Sequence, residues 1–479
     1  MLFNTIGFAL FLPVVFGLYW MLQSRALRWQ NLLLLIASYF FYGCWDYRFL
    51  FLLMFSTVLD YFTGLKISSA VDLQQKKFWL WLSILVNLGV LCVFKYFNFF
   101  IDSFAESLSW FGVSHSSLWT LNIILPVGIS FYTFHGLSYI IDIYKSRIEP
   151  EKDFINYGVF VSFFPLLVAG PIERATHLLP QIKKHRIFKA SQFTDGLKQI
   201  LWGLFKKVVI ADNCGVYVDT IFNHSEEYSG STLVLGAVLF AFQIYGDFSG
   251  YSDIALGTAR LFGIDLLKNF NFPYFSRDIA EFWRRWHISL SSWFRDYVYI
   301  PLGGSRGPRW RQLRNIFIIF LLSGFWHGAN WTFIIWGLLN ALYFLPVFLS
   351  KTNRNHLEIV ANDSVFPQLK ELLAMLFTFS LTVFAWIFFR AESVTHAFAI
   401  VSEIFSVSVF SVPEIHPKPI LLLIVLFVLM EWVGRRNDYA ISGFFKGSPQ
   451  AIRWIFYYLL VFGIFYFSKT VQEFIYFQF

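Results

Sequence analysis

His327 sits in the run Ser323-Gly-Phe-Trp-His-Gly-Ala-Asn-Trp331, within 34 consecutive positions, Ile316 to Leu349, that hold no Asp, Glu, Lys or Arg. About 20 helical residues cross a hydrocarbon core, so this imidazole is expected at membrane depth. An ionisable group there is costly and by default marks function. Imidazole moves protons near neutral pH, which makes general acid–base chemistry the first expectation. A second histidine, His287, lies in Glu281-Phe-Trp-Arg-Arg-Trp-His-Ile-Ser-Leu-Ser-Ser-Trp-Phe294. Read as one helix, Trp283, Trp286, His287, Leu290, Trp293 and Phe294 share a face, and Glu281 and Arg285 pair on another. A lone histidine on such a face is more often a satisfied core group than a reagent.

A third polar cluster is Tyr245-Gly-Asp-Phe-Ser-Gly-Tyr-Ser-Asp253, inside the apolar run 231–262. Asp247 and Asp253 need partners or water there. Gly246, Gly250, Ser249 and Ser252 allow close helix approach and local polar bonding; the competing reading is a polar lining of a reaction chamber. Aspartates six apart do not share a helical face, so no metal site is expected. His135, in Phe131-Tyr-Thr-Phe-His-Gly-Leu-Ser138, is a secondary candidate. The other histidines fall in loops or near span ends. There is no Gly-x-Ser-x-Gly elbow and no Ser/His/Asp set, so a covalent serine mechanism is not supported.

The elements that must position these groups follow from composition. Of 479 residues, 57% are hydrophobic, 21% aromatic and only 14% charged, against roughly 25% charged in soluble domains. The chain is therefore read as an all-α polytopic integral membrane protein. It is expected to form a single membrane-embedded domain over 1–479: N-terminal spans in 1–150, a catalytic core in about 151–350 and C-terminal spans in 351–479. Apolar runs place spans at about 3–22, 30–45, 48–66, 78–99, 119–144, 154–170, 196–222, 231–262, 316–349, 366–390, 394–411, 419–434 and 452–468. With no Lys or Arg before the first run, 3–22 is read as an uncleaved span rather than a signal peptide. Cys44, Cys92 and Cys214 are scattered and form no disulfide framework or zinc motif.

Basic residues in alternate short loops (Arg25 and Arg28; Lys66, Lys76 and Lys77; Lys145, Arg147 and Lys152) put those loops in the cytoplasm and the N-terminus outside. Two segments resist single crossings. Residues 154–170 have basic loops on both sides and end in Pro165, Gly170 and Pro171, which break helices. The His327 stretch has Arg314 before it, Lys351 and Arg354 after it, and Gly324 and Gly328 around the histidine. Both are expected to be re-entrant, which is tolerated only around protein or a water-filled cavity. Between Arg277 and Arg314, eight arginines face only Asp278, Glu281 and Asp296, giving +5 of the formal +8. Two compatible roles are contact with lipid phosphates and grip on an anionic cytosolic donor such as coenzyme A. The basic charge reflects membrane topology, and no nucleic-acid partner is expected.

Three stretches resemble the membrane-bound O-acyltransferase family, in its bacterial alginate O-acetyltransferase branch. They are Tyr245–Gly257, Phe282–Trp293 continuing through Asp296-Tyr-Val-Tyr-Ile-Pro-Leu-Gly-Gly304, and Ser323–Trp331, with support from Val168–Ile172, Trp386–Ala391 and the tail Phe474-Ile-Tyr-Phe-Gln-Phe479. The resemblance runs in order along essentially the whole chain. It implies a ring of about 11–13 membrane segments, with re-entrant helices, around a central tunnel. It maps the family's near-invariant histidine onto His327 and a second active-site histidine onto His287. Contacts to substrate or donor are then expected of Trp326, Asn330, Arg284, Asp247 and Ser249. At His135, relatives often carry another polar residue, which weakens a catalytic reading there.

The activity implied is acetyl transfer from a cytosolic thioester, acetyl-CoA as donor substrate with no bound cofactor. The acceptor would be an extracytoplasmic polysaccharide, or a periplasmic esterase-like partner that passes the group on. Membrane lipids surround the chain, and the bacterial inner membrane is the expected location. Rival readings are peptidoglycan O-acetylation, teichoic-acid D-alanylation, a proton-coupled or acyl transporter, and a scaffold for polysaccharide secretion.

Overall fold

The computed structural model describes residues 1–109, 111, 124–168, 170–444, 447–468 and 472–475. Every regular element among them is helical. His115, the start of the expected span 119–144, Ala169, and Tyr476 to Phe479 of the tail lie outside the described residues. Among the described residues, seven helical stretches are long and apolar enough to cross a membrane: Ile6–Ser24, Tyr47–Ser69, Leu73–Ser109, Gly230–Leu261, Trp331–Leu349, Leu369–Arg390 and Gln450–Phe467. Other expected spans exist as helices but are 17 residues long or shorter or carry cations.

The chain folds as two compact units. The first comprises residues 1–190 and 259–267. Its helices are α1 (Ile6–Met21), α2 (Leu27–Gly43), α3 (Tyr47–Ser69), α4 (Leu73–Leu91), α5 (Phe97–Ser109), α6 (Ile129–Tyr144), α7 (Phe154–Ser162), α8 (Phe164–Leu167) and α9 (Ala175–Ile182). A widened turn at Cys92–Tyr96 joins α4 to α5, so helix continues to Ser109 where a loop was expected after 99. Nothing between Val93 and Ser109 stops it, since the stretch has no Gly or Pro. The segment 154–170 is not a crossing: α7 and α8 have nine and four residues, far short of the ~20 a core needs, and α7 from Tyr157 onward and all of α8 are buried. A polar knot anchors α3, where Asp60 accepts from Ser83 Oγ at 2.6 Å and Asn87 Nδ2 at 2.8 Å. Unpartnered polar groups in such surroundings would be destabilising.

The second unit comprises residues 191–258 and 268–479. It contains α10 (Ala190–Leu204), α11 (Asp212–Asn223), most of α12 (Gly230–Leu261), α13 (Ile279–Arg285), α14 (Ile288–Phe294), α15 (Arg309–His327), α16 (Trp331–Leu349), α17 (Leu369–Arg390), α18 (Val394–Ile404), α19 (Lys418–Gly434) and α20 (Gln450–Phe467). A widened π-type turn, Phe205–Ala211, joins α10 to α11. There α12 crosses α10 backbone to backbone: a Cβ on Gly203 would lie 2.5 Å from the Gly250 carbonyl oxygen. This is the close approach that the glycines of 245–253 anticipate. The run 316–349 folds as a helical hairpin, α15 and α16, broken at Gly328–Asn330. Gly324 and Gly337 let the arms touch, a Cβ on Gly324 falling 2.3 Å from the Phe333 carbonyl oxygen. His327 therefore ends one arm, at the bend.

Candidate active site

His287 is positioned by a break in the helix. The single helix expected over 281–294 is corrected: α13 stops at Arg285, α14 starts at Ile288, and His287 between them has φ +43°. A left-handed non-glycine residue costs on the order of 1–3 kcal/mol, although histidine tolerates it better than most. The kink is pinned from both sides by one extended segment. Asn269 accepts the Ile288 N–H through its carbonyl at 2.9 Å and the Ser289 hydroxyl through Oδ1 at 2.9 Å. The Asn271 N–H donates to the Arg285 carbonyl at 2.9 Å. Asn269 is itself buried and donates to Ser252 Oγ. Before the kink, Asp278 caps α13, and the expected Glu281–Arg285 pair forms at 2.8 Å.

The break turns the imidazole into an aromatic chamber. Ring centroids of Phe248 and Trp326 lie 4.6 and 5.8 Å from that of His287. His327 comes from the α15–α16 bend and is walled by Trp326 at 4.9 Å, Trp336 at 5.0 Å and Phe389 at 5.3 Å. The two imidazoles, 40 positions apart in sequence, have centroids 6.4 Å apart, and their residues are only 1% and 3% exposed. A reacting oxygen within about 3 Å of each ring fits that separation. Water is a weak competitor in such a chamber, which strengthens electrostatic interactions with developing charge.

Of the expected contact residues, only Trp326 joins the pair. Asn330 caps α16 through the Thr332 N–H and donates to the Glu392 carbonyl at 2.9 Å. Arg284 donates to the carbonyls of Asn353 and His356 at 2.7 and 2.8 Å, which fastens the loop after α16. Asp247 is ion-paired to Lys207 at 2.8 Å and accepts the Ile475 N–H at 2.7 Å. Ser249 accepts from Lys206 Nζ at 2.9 Å and donates to the Tyr245 carbonyl. His135 belongs to the first unit, where its Nε2 accepts the Glu173 N–H at 3.0 Å.

Sequence reading passed over the cations that organise this neighbourhood. Lys206 and Lys207 lie buried on the π-type turn. Lys207 Nζ is 2.7 Å from Asp212 and 3.1 Å from the Gln472 carbonyl; Lys206 is 2.6 Å from Asp253. The signal was present: adjacent lysines inside Leu201-Trp-Gly-Leu-Phe-Lys-Lys-Val-Val-Ile-Ala211 are intramembrane charges that demand partners. Asn269 gave no such signal. The tail is held as well, with Phe474 fully buried 4.4 Å from Tyr251 and 6.2 Å from Phe248, ring to ring. Phe248 is the ring that faces His287.

Comparison with known proteins agrees with this architecture. The family model described as "MBOAT, membrane-bound O-acyltransferase family" matches residues 145–362, which include both histidines. The chain is 39% identical over 436 residues to "Probable alginate O-acetylase AlgI" of Pseudomonas aeruginosa, covering 90% of this chain and 80% of that protein. It is 39% identical over 428 residues to "Peptidoglycan O-acetyltransferase" of Helicobacter pylori, covering 83% and 78%. To "Teichoic acid D-alanyltransferase" of Bacillus subtilis it is 29% identical over 291 residues, 57% of this chain and 71% of that protein. Identity at this level across most of the length places the chain in the membrane-bound O-acyltransferase family, as a multi-pass membrane O-acyltransferase.

Proposed function

We propose that this acyltransferase moves an acetyl group from acetyl-CoA in the cytosol to hydroxyls of an alginate-type polysaccharide outside the membrane. The acetyl group passes either directly or through a periplasmic esterase-like partner. The whole chain acts as one acyltransferase domain in the bacterial inner membrane, with its N-terminus outside. The observation that carries the reading is the buried imidazole pair, 6.4 Å between ring centres, enclosed by aromatic walls.

In the proposed step the acceptor hydroxyl oxygen attacks the thioester carbonyl carbon while His327 takes its proton. His287 orients the reactants or donates to the oxyanion of the tetrahedral intermediate. The C–S bond then breaks, the proton returns from His327 to the departing sulfur, and an ester and a free thiol result. General base catalysis contributes about 10²–10⁴-fold, and one oxyanion donor about 10²–10³-fold. Trp326, which contacts both rings, shapes the space between them.

Peptidoglycan is the second acceptor considered, because identity to the Helicobacter pylori enzyme equals that to the Pseudomonas aeruginosa one. Teichoic-acid D-alanylation has less support, since that match spans 57% of the chain. The test is ester-linked acetate on isolated exopolysaccharide and on isolated peptidoglycan from a deletion strain and its complemented form. Acetate lost and restored on the exopolysaccharide alone supports the reading. Acetate lost only from peptidoglycan replaces it with the second acceptor.

A further inference from the structure

A cavity of about 540 Å³ opens within the second unit beside α14 and between the outer ends of α15 and α16. Its charged rim carries Arg295, Lys351 and Arg354. Asp296 offsets Arg295 through a 2.8 Å ion pair. Lys351 and Arg354 are exposed and form no ion pair among the described residues. Among the described residues, no acidic one lines the cavity. One wall is apolar, made by Ile316, Ile319 and Phe320 of α15 with Phe344 and Phe348 of α16, and uncharged polar side chains, among them Ser291, Gln312 and Asn353, line the rest.

Two further observations mark the rim. Lys351 has φ +60° at the C-terminal end of α16, and the Thr352 N–H reaches back to the Val347 carbonyl at 3.1 Å. This is a helix-terminating position that glycine fills at least cost, yet the chain places a cation there. The rim loop is also held in place: Arg284 fixes the carbonyls of Asn353 and His356 on either side of Arg354.

The ligand chemistry that fits is a phosphate ester on a chain, with the anion at the rim and the chain along the apolar wall. A phospholipid and coenzyme A both offer it. The apolar wall favours the lipid: an acyl chain gains from burial against its five side chains, whereas the amide-bearing arm of coenzyme A would give up hydrogen bonds along it. We propose that this cavity is a binding site for an anionic phospholipid. A row of packed rings runs from the cavity to His327. Phe320 meets Trp283 at 5.4 Å, Trp283 meets Trp336 at 5.7 Å, and Trp336 faces His327 at 5.0 Å.

The experiment is native mass spectrometry of the purified full chain in detergent, titrated with phosphatidylglycerol or phosphatidylcholine, with coenzyme A as competitor. Wild type is expected to retain one phosphatidylglycerol at least ~10-fold more tightly than phosphatidylcholine. The double variant Lys351→Gln/Arg354→Gln is expected to lose that preference, and Lys351→Arg/Arg354→Lys to keep it. Arg306→Gln/Arg309→Gln, exposed on the same basic segment outside the cavity, serves as the charge-matched control and should bind as wild type. Equal retention of both lipids overturns the proposal, as does an unchanged preference in the double variant. Displacement of the lipid by coenzyme A, with phosphatidylglycerol selectivity absent in its presence, assigns the rim to the donor and also overturns it. Lipid retention is read without acetyl transfer, so the outcome is independent of the proposed acceptor.

Discussion

Two buried polar regions of the second unit solve the same problem in opposite ways. Around Lys206 and Lys207, cations meet Asp212, Asp247 and Asp253 at 2.6–2.8 Å, and the leftover capacity goes to the backbone of the tail at Gln472 and Ile475. Around His287 and His327, rings dominate: Phe248, Trp326, Trp336 and Phe389. The first region consumes its polarity internally and ties α10, α11, α12 and the tail together. The second sets two imidazoles 6.4 Å apart, centre to centre, and surrounds them with aromatic walls. Depth in the apolar interior alone does not separate structural from chemical groups; the identity of the neighbours does.

The largest effect that can break this comparison is on folding. Lys207→Met strands two buried carboxylates, and removing one partner of a buried ion pair costs about 3–5 kcal/mol. The folded protein recovered from membranes should fall sharply, as read by size-exclusion chromatography after detergent extraction. Lys207→Met with Asp212→Asn and Asp247→Asn should recover much of the loss. If Lys207→Met instead gives normal folded protein without acetyl transfer, the network belongs to the chemistry.

His287→Asn is the converse test. Asparagine accepts the left-handed backbone and removes the imidazole. Folded protein should be near wild type, while acetyl transfer falls by about 10²–10³-fold. A variant that is lost from membranes would make His287 a structural group.

Asn269→Ala comes next. It removes the Oδ1 acceptor that Ser289 uses beside the kink but leaves both imidazoles in place. Misplacement on the order of 1 Å can cost up to 10²-fold. Acetyl transfer should therefore drop by roughly 10-fold in kcat with little change in donor KM.

The smallest effect lies in the first unit, outside the spans. Glu173 accepts from or pairs with His177 Nδ1 at 2.8 Å, and this hydrogen bond raises the His177 pKa above its usual value. The resulting stability is fully present below about pH 6.5 and is lost as pH rises through the elevated folded-state value. His177→Gln should thus lower thermal stability slightly at pH 6 and hardly at all well above the elevated pKa. A difference that grows with pH would contradict the sign.

Much of this was legible in the chain. His327 announced itself as an imidazole in a long uncharged run, and the glycines around it marked the hairpin. The failure of positive-inside topology at 154–170 exposed a segment too short to cross. The turn at His287 was not legible, because helical spacing of tryptophans reads the same whether or not the backbone breaks between them. The break depends on Asn269 and Asn271, more than a dozen positions earlier, whose polar pattern carries no periodic signal. The hydrogen bonds of Arg284 and Asn330 were not legible for a related reason. Their motifs resemble a site, yet the carbonyls they hold come from distant loops that sequence spacing does not reveal.

The most direct test of the central claim is ester-linked acetate on cell-surface polymer in a deletion strain complemented with wild type or His327→Ala at matched levels of folded membrane protein. Acetate restored by wild type and absent, or reduced by at least about 10²-fold, in the variant is the predicted result. Full restoration by His327→Ala would contradict it and remove the imidazole pair from the chemistry.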